Sequence, residues 1–105
     1  FELQQQAHLV ICLEVAEHIE PSKAQDVVSS VVQAVEAGGW LIWSAAHPGQ
    51  GGVGHINCQP KDYWAKIITA AGLKRDTKTE HQMLAHIGAG YHMGWFLQNA
   101  MVFRR

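Results

Sequence analysis

The side chains able to do chemistry concentrate in two short segments. The first is Glu14-Val15-Ala16-Glu17-His18, two carboxylates and an imidazole within five residues, directly after the apolar run His8–Leu13. The second is the glycine-rich stretch from His47 to Gln59, which carries His47, His55 and Cys58 among Gly49, Gly51, Gly52 and Gly54. Carboxylate and imidazole are the groups that most often move protons in catalysis. A parallel strand ending at Leu13 would deliver Glu14, Glu17 and His18 to its carboxyl end, where open parallel sheets bind their ligands. Two readings of the pentapeptide stand side by side. It is either a ligand-facing site or a set of polar residues introducing a helix, with Glu17 and Glu20 favoured by that helix's dipole. His47 is open in the same way, as a base or as the cap of a turn.

The elements that must position these residues follow from hydrophobic pattern. HLVICL, His8–Leu13, is continuously apolar, as suits a parallel strand covered on both faces. Pro21, then Ser22 with Gln25 three residues on, predicts a capped helix start. Ala24, Val27, Val28, Val31, Val32 and Val35 form its apolar stripe, and Gly38 is the expected stop. Valine is a poor helix former, so packing against a sheet must hold this helix. Trp40–Ala45 predicts a second buried strand, completing a right-handed βαβ unit.

Pro60 is expected at the first position of a further helix with Tyr63, Trp64, Ile67, Ile68 and Ala71 on its apolar face. Gly72 ends it. Leu73–Thr79 alternates like a half-exposed strand near a sheet edge, Glu80–Ile87 predicts a short helix, and Phe96–Phe103 a closing strand. The expected order is β-α-β-loop-α-β-(α)-β. Trp40, Trp43 and Trp64 fall on apolar faces and belong to the core, whereas Trp95 has a second reading in a substrate pocket. His81, His86 and His92 lack ligand spacing.

Composition narrows the classes. The chain has 105 residues, enough for one core, with 48% hydrophobic and 16% charged residues. Eight basic and nine acidic residues leave a net charge of -1, which supplies no general attraction to nucleic acid or anionic membrane. No apolar run approaches the roughly 18 residues of a membrane span, and no signal peptide is visible. Cys12 and Cys58, with no C-x-x-C, fit a reducing compartment, so a cytoplasmic location is expected.

HLVICLEVAEH, an amphipathic helix and EAGGWLIWSA together resemble strands four and five of class I S-adenosylmethionine-dependent methyltransferases. The histidine-bearing loop, the proline-led helix ending in A-G-L and two closing strands extend the resemblance over nearly the whole chain. His8 stands where relatives usually carry an aspartate. The resemblance implies an α/β, Rossmann-like methyltransferase half-sheet with flanking helices, its parallel strands joined to an antiparallel C-terminal pair in the order 4-5-7-6. It also implies that residues 1–105 form a partial domain. The family's glycine-rich cofactor loop and the acidic residue after its second strand lie upstream of the matched segment. Gly49–Gly54 do not replace them, because the spacing to Pro60 is wrong for a phosphate cradle. Of the cofactor contacts, only Leu13 and Glu14 carry over, so the chain alone is expected to be inactive.

Some relatives, among them small-RNA 2′-O-methyltransferases and ubiquinone-pathway O-methyltransferases, hold a divalent metal with an E-x-x-E-H…H set. That resemblance implies Glu14, Glu17, His18 and His55 as ligands for Mg²⁺, Mn²⁺ or Zn²⁺; many other relatives carry the text without metal. The implied acceptor is a small-molecule or sugar hydroxyl, with His18 or His55 beside the reacting centre as catalytic residues. Strand four would be a bare apolar edge, which predicts a homo-oligomer through that edge or pairing with the N-terminal half. The alternative function is a non-catalytic, methyltransferase-like interaction module.

Overall fold

The computed structural model describes residues 5–90 and 93–105. Phe1–Gln4 and His92 lie outside the described residues. Four strands form one sheet: β1 (Ala7–Leu13), β2 (Val35–Ser44), β3 (Lys74–Arg75) and β4 (Met101–Arg104). Their spatial order is β1-β2-β4-β3, with β1 parallel to β2 and the other two pairings antiparallel. This is the expected α/β sheet with an antiparallel C-terminal pair, strand for strand.

The helices are α1 (Pro21–Gln33), α2 (Lys61–Ala70), α3 (Thr77–Gly88) and α4 (Gly94–Asn99), and a 3-10 turn spans Ala16–His18. The α1 stripe buries Ala24, Val28, Val31 and Val32, which join Leu41, Trp43, Trp64, Ile68 and Phe103 in a single core. The Trp43 and Trp64 rings meet at 5.6 Å. Burial of this kind is worth roughly 1.5–3 kcal/mol per large side chain, enough to hold a valine-rich helix against its weak propensity.

Several boundaries differ from the sequence reading, each for a local reason. Ser22 is not the cap of α1; Glu20 is, with Pro21 at the first helical position and no side-chain cap bond. Gly38 does not end the helix. The helix stops at Ala34 and Val35 is already in β2, where a step of two residues on β1 (Ala7 to Leu9) matches five on β2 (Val35 to Trp40). Gly38, with φ of 77°, lies in that irregular segment, which a left-handed residue makes possible. Pro60 is the N-cap of α2, not its first residue.

The expected strand Leu73–Thr79 shrinks to Lys74–Arg75. The Asp76 carboxylate accepts hydrogen bonds from the Thr79 N–H (2.9 Å) and hydroxyl (3.0 Å), and this cap starts α3 at Thr77. The expected strand Phe96–Phe103 divides into α4 and β4, with the Ala100 N–H bonded to the Phe96 carbonyl. Trp40 is only half-buried and carries the Arg104 guanidinium 4.6 Å from its ring centroid. Among the described residues β1 pairs on one side only, and its Leu9 and Ile11 are 48% and 57% exposed.

Candidate functional site

The site is built where β1 and β2 end together. After Leu13 the chain turns sharply at Glu14, which has φ of 53°, the left-handed region that a non-glycine residue seldom visits. Such a conformation costs on the order of 1 kcal/mol and persists only where its surroundings enforce it. Here they do. The Glu14 N–H donates to the Ser44 carbonyl (2.9 Å) and its carboxylate accepts from the Ser44 hydroxyl (3.0 Å) and the Gln50 amide (3.0 Å). The Asn99 amide donates to Gln50 Oε1 at 2.7 Å and, more weakly, to Glu14 at 3.4 Å. One carboxylate thereby ties together the ends of β1 and β2, the glycine-rich loop and the end of α4.

The turn at Glu14 leads into the 3-10 segment that carries Glu17 and His18. The Glu17 carbonyl accepts the N–H groups of Ile56 and Asn57, both at 2.9 Å, and so clamps the loop onto this segment. His18 Nδ1 is 3.0 Å from the Gly54 carbonyl oxygen. A carbonyl only accepts, so Nδ1 carries a proton and Nε2 is the ring nitrogen left to ligate. The His55 ring stands edge-on to that of His18, with centroids 4.7 Å apart. It also lies against Gly52, where a Cβ would overlap the imidazole.

The Glu17 carboxylate is fully buried, and neither of its oxygens has a hydrogen-bond partner. His55 Nε2 lies 3.9 Å from Glu17 Oε1, too far for a hydrogen bond. His55 Nδ1 and the Asn57 amide nitrogen are likewise buried without partners. Potential ligand atoms of Glu17, His18 and His55 all lie within 4.8 Å of one another. A buried carboxylate without a hydrogen bond costs several kcal/mol, and a cation held between it and two imidazoles would offset that cost. The oxygen and nitrogen donor set fits Mg²⁺, Mn²⁺ or Zn²⁺, and the Nδ1–carbonyl bond of His18 is the support that ligating histidines usually have. Burial, with the Glu17 charge as a second cause, pushes the Cys12 thiol up to about 11.

Three of the four residues read as ligands thus converge, while Glu14 occupies the adjoining polar node. Leu13 is half-buried at the end of β1. His47 Nδ1 donates to the Pro48 carbonyl at 2.8 Å, capping a turn. Ser44, Gln50, Asn57 and Asn99 escaped the sequence reading. Ser44 and Asn99 did leave a signal, as polar residues inside the apolar texts WLIWSA and FLQNAMVF, and both are buried.

No known family profile matches this sequence, and no curated protein matches it by sequence. Solved structures match it in shape. The 4+2 cyclase SpnF aligns over 96% of this chain with a TM-score of 0.59 at 12% identity. BH2331 from Bacillus halodurans C-125, assigned as a methyltransferase, aligns over 95% with a TM-score of 0.62 at 14% identity. StiE O-MT, residues 961–1257, aligns over 99% with a TM-score of 0.51 at 15% identity. The chain shares its fold with part of each of these proteins, two of which are methyltransferases by description. The chain spans 50%, 64% and 44% of the length of these three proteins. A cyclase among them shows that the methyltransferase fold carries more than one chemistry, so activity has to be argued from the site.

Proposed function

We propose that this chain supplies the acceptor side of an S-adenosylmethionine-dependent O-methyltransferase site, with Glu17, His18 and His55 holding a divalent metal. The observation that carries the metal reading is the buried, unpartnered Glu17 carboxylate beside two imidazoles. Leu13 and Glu14 stand where the cofactor would meet the sheet, and a domain able to hold S-adenosylmethionine would need an N-terminal half in addition to residues 1–105. A divalent ion at the trio would supply Lewis-acid activation of an acceptor hydroxyl. The residues of this chain do the positioning. His18 is oriented by the Gly54 carbonyl, His55 is wedged against Gly52, and Glu14 holds the loop that carries Gln50. A small-molecule or sugar hydroxyl would lie beside His18 and His55. Because an imidazole whose lone pair holds the ion cannot also accept a proton, the hydroxyl proton would pass to solvent.

Calorimetric titration of the chain with Zn²⁺, Mn²⁺ and Mg²⁺ tests this reading. The expected result is one-to-one binding of at least one ion, lost in Glu17→Gln. A folded chain that binds none of the three would overturn it.

A second reading rests on the outer edge of β1. Leu9, Ile11 and Val15 are exposed there, beside a cavity of about 630 Å³ that Val10, Ile11, Leu13 and Val31 help to line. An open apolar edge recruits another strand, so the alternative is a non-catalytic module that self-associates. A stable monomer in light scattering at high concentration would remove that alternative.

A further inference from the structure

At the other end of the sheet, cations outnumber acids. Trp40, Arg104 and Lys74 lie in register across β2, β4 and β3, four residues of β2 away from the Ser44 end that carries the candidate site. Residues directly opposite in antiparallel strands share a face, so Lys74 and Arg104 are like charges side by side, an arrangement that destabilises the pairing. They border an open cavity of about 450 Å³ whose rim also includes Arg75, Lys78 and Arg105, with Asp76 as the acid. That volume is within the range of small-ligand sites, roughly 300–1000 Å³.

Two of the five cations are committed elsewhere. Arg75 is bidentate on Glu80 (3.1 and 2.9 Å), and Arg105 donates to the Val32 and Val35 carbonyls, both at 2.6 Å. Lys74, Lys78 and Arg104 are exposed, and among the described residues none has an ion-pair partner. A lysine on a short edge strand can be a guard against aggregation. That explains Lys74; Lys78 and Arg104 act on the Asp76 carboxylate, one acid for two cations. Stacking on Trp40 holds the Arg104 guanidinium in place with its N–H groups uncommitted, the preorganisation that favours two-point contact with an oxyanion.

The cavity also contains the start of α3. Asp76 uses its carboxylate on Thr79 and its carbonyl on Glu80, so the N–H groups of Thr77 and Lys78 have no acceptor within the helix. We propose that this cavity binds a phosphate group, free or as the monoester of a small molecule, through Lys74, Lys78, Arg104 and the first two N–H groups of α3. The three side chains supply charge, and the helix terminus supplies directed donors. The one opposing charge is Asp76, which would weaken the site while capping the helix. This ligand site is separate from the Glu17 trio and does not depend on it.

The test is an NMR titration of the ¹⁵N-labelled chain, at constant ionic strength, with inorganic phosphate, ribose 5-phosphate and AMP, and with adenosine as the uncharged control. Saturable shifts of the Thr77 and Lys78 amides are expected with phosphate compounds and not with adenosine. Equal affinity for all three would identify the free ion as sufficient; tighter binding of the two esters would identify a phosphomonoester. Lys74→Gln or Lys78→Gln should weaken binding roughly tenfold, as loss of one charge-assisted contact does. Asp76→Asn, which keeps a capping side chain, should tighten it severalfold. Unchanged spectra elsewhere establish that the variants fold. No saturable shift with any phosphate compound, or shifts indifferent to all three substitutions, would overturn the proposal.

Discussion

Glu17 and Glu80 are both withdrawn from solvent, at 0% and 2% exposure, but their surroundings are opposite. Glu80 is satisfied on every side. Arg75 grips both its oxygens, and the Val102 N–H donates to Oε1 at 3.0 Å, binding α3 to the β3–β4 edge. Glu17 has the same chemistry and none of the partners; two imidazoles stand near it without hydrogen-bonding to it. A carboxylate that closes its own hydrogen bonds is a joint in the architecture. One that does not is either a standing cost to the fold or half of a binding site.

The largest expected effect comes from breaking the satisfied member. Glu80→Ala removes one partner of a buried ion pair and should destabilise the chain by about 3–5 kcal/mol in urea unfolding. Glu17→Gln should act in the opposite direction. With metal chelated, loss of an uncompensated buried charge should raise stability by about 1–3 kcal/mol. A Glu17→Gln loss as large as that of Glu80→Ala would mean that the two sites do not differ. With metal in large excess the order for Glu17 should invert, because an ion at about 1,000 times its Kd adds about 4.1 kcal/mol to the unsubstituted chain alone.

Smaller effects sharpen the comparison. Gly52→Ala places a methyl group in the space of the His55 ring, on a backbone with φ of 142°. It should weaken metal binding about tenfold by calorimetry, as loss of ligand positioning does, while leaving the Glu80 pairing intact. The smallest expected effect is at Asp76. The Thr79 N–H, chiefly, holds its carboxyl below the usual value of 3.8. A lowered folded value means that its contribution is present above pH 3.8 and is lost as pH falls through the folded value. Asp76→Asn should therefore flatten the acid limb of the stability profile, and an unchanged limb would show that the cap is not a charged one.

How much was legible varies with the kind of signal. The continuous apolar runs His8–Leu13 and Trp40–Ala45 read correctly as parallel strands, but the expected cover on both faces fails for β1, whose Leu9 and Ile11 are exposed. Trp43 and Trp64 read correctly as core. The misreadings come from hydrogen bonding that overrides periodicity, local in one case and long-range in the other. Leu73–Thr79 alternates like a strand, yet the Asp76 side chain offers the backbone a helix cap and α3 prevails. Val35 extends the α1 stripe by spacing, yet its pairing with Ala7 makes it sheet. The first outcome turns on residues three apart, whereas the second is not written in any window of ten residues.

By itself the sequence determined the βαβ unit, its continuation into two further strands, and the delivery of Glu14, Glu17 and His18 to the carboxyl end of β1. Patterning suffices for that, since period and apolarity select the element and chain order selects the crossover. Only the tertiary structure decided which carboxylate is satisfied. Glu14 found Ser44, Gln50 and Asn99, and Glu17 found none, because hydrogen-bond partners 30 to 85 residues away arrive through packing and not through spacing. His55 reached His18 for the same reason, brought there when the Glu17 carbonyl accepted the backbone of Ile56 and Asn57.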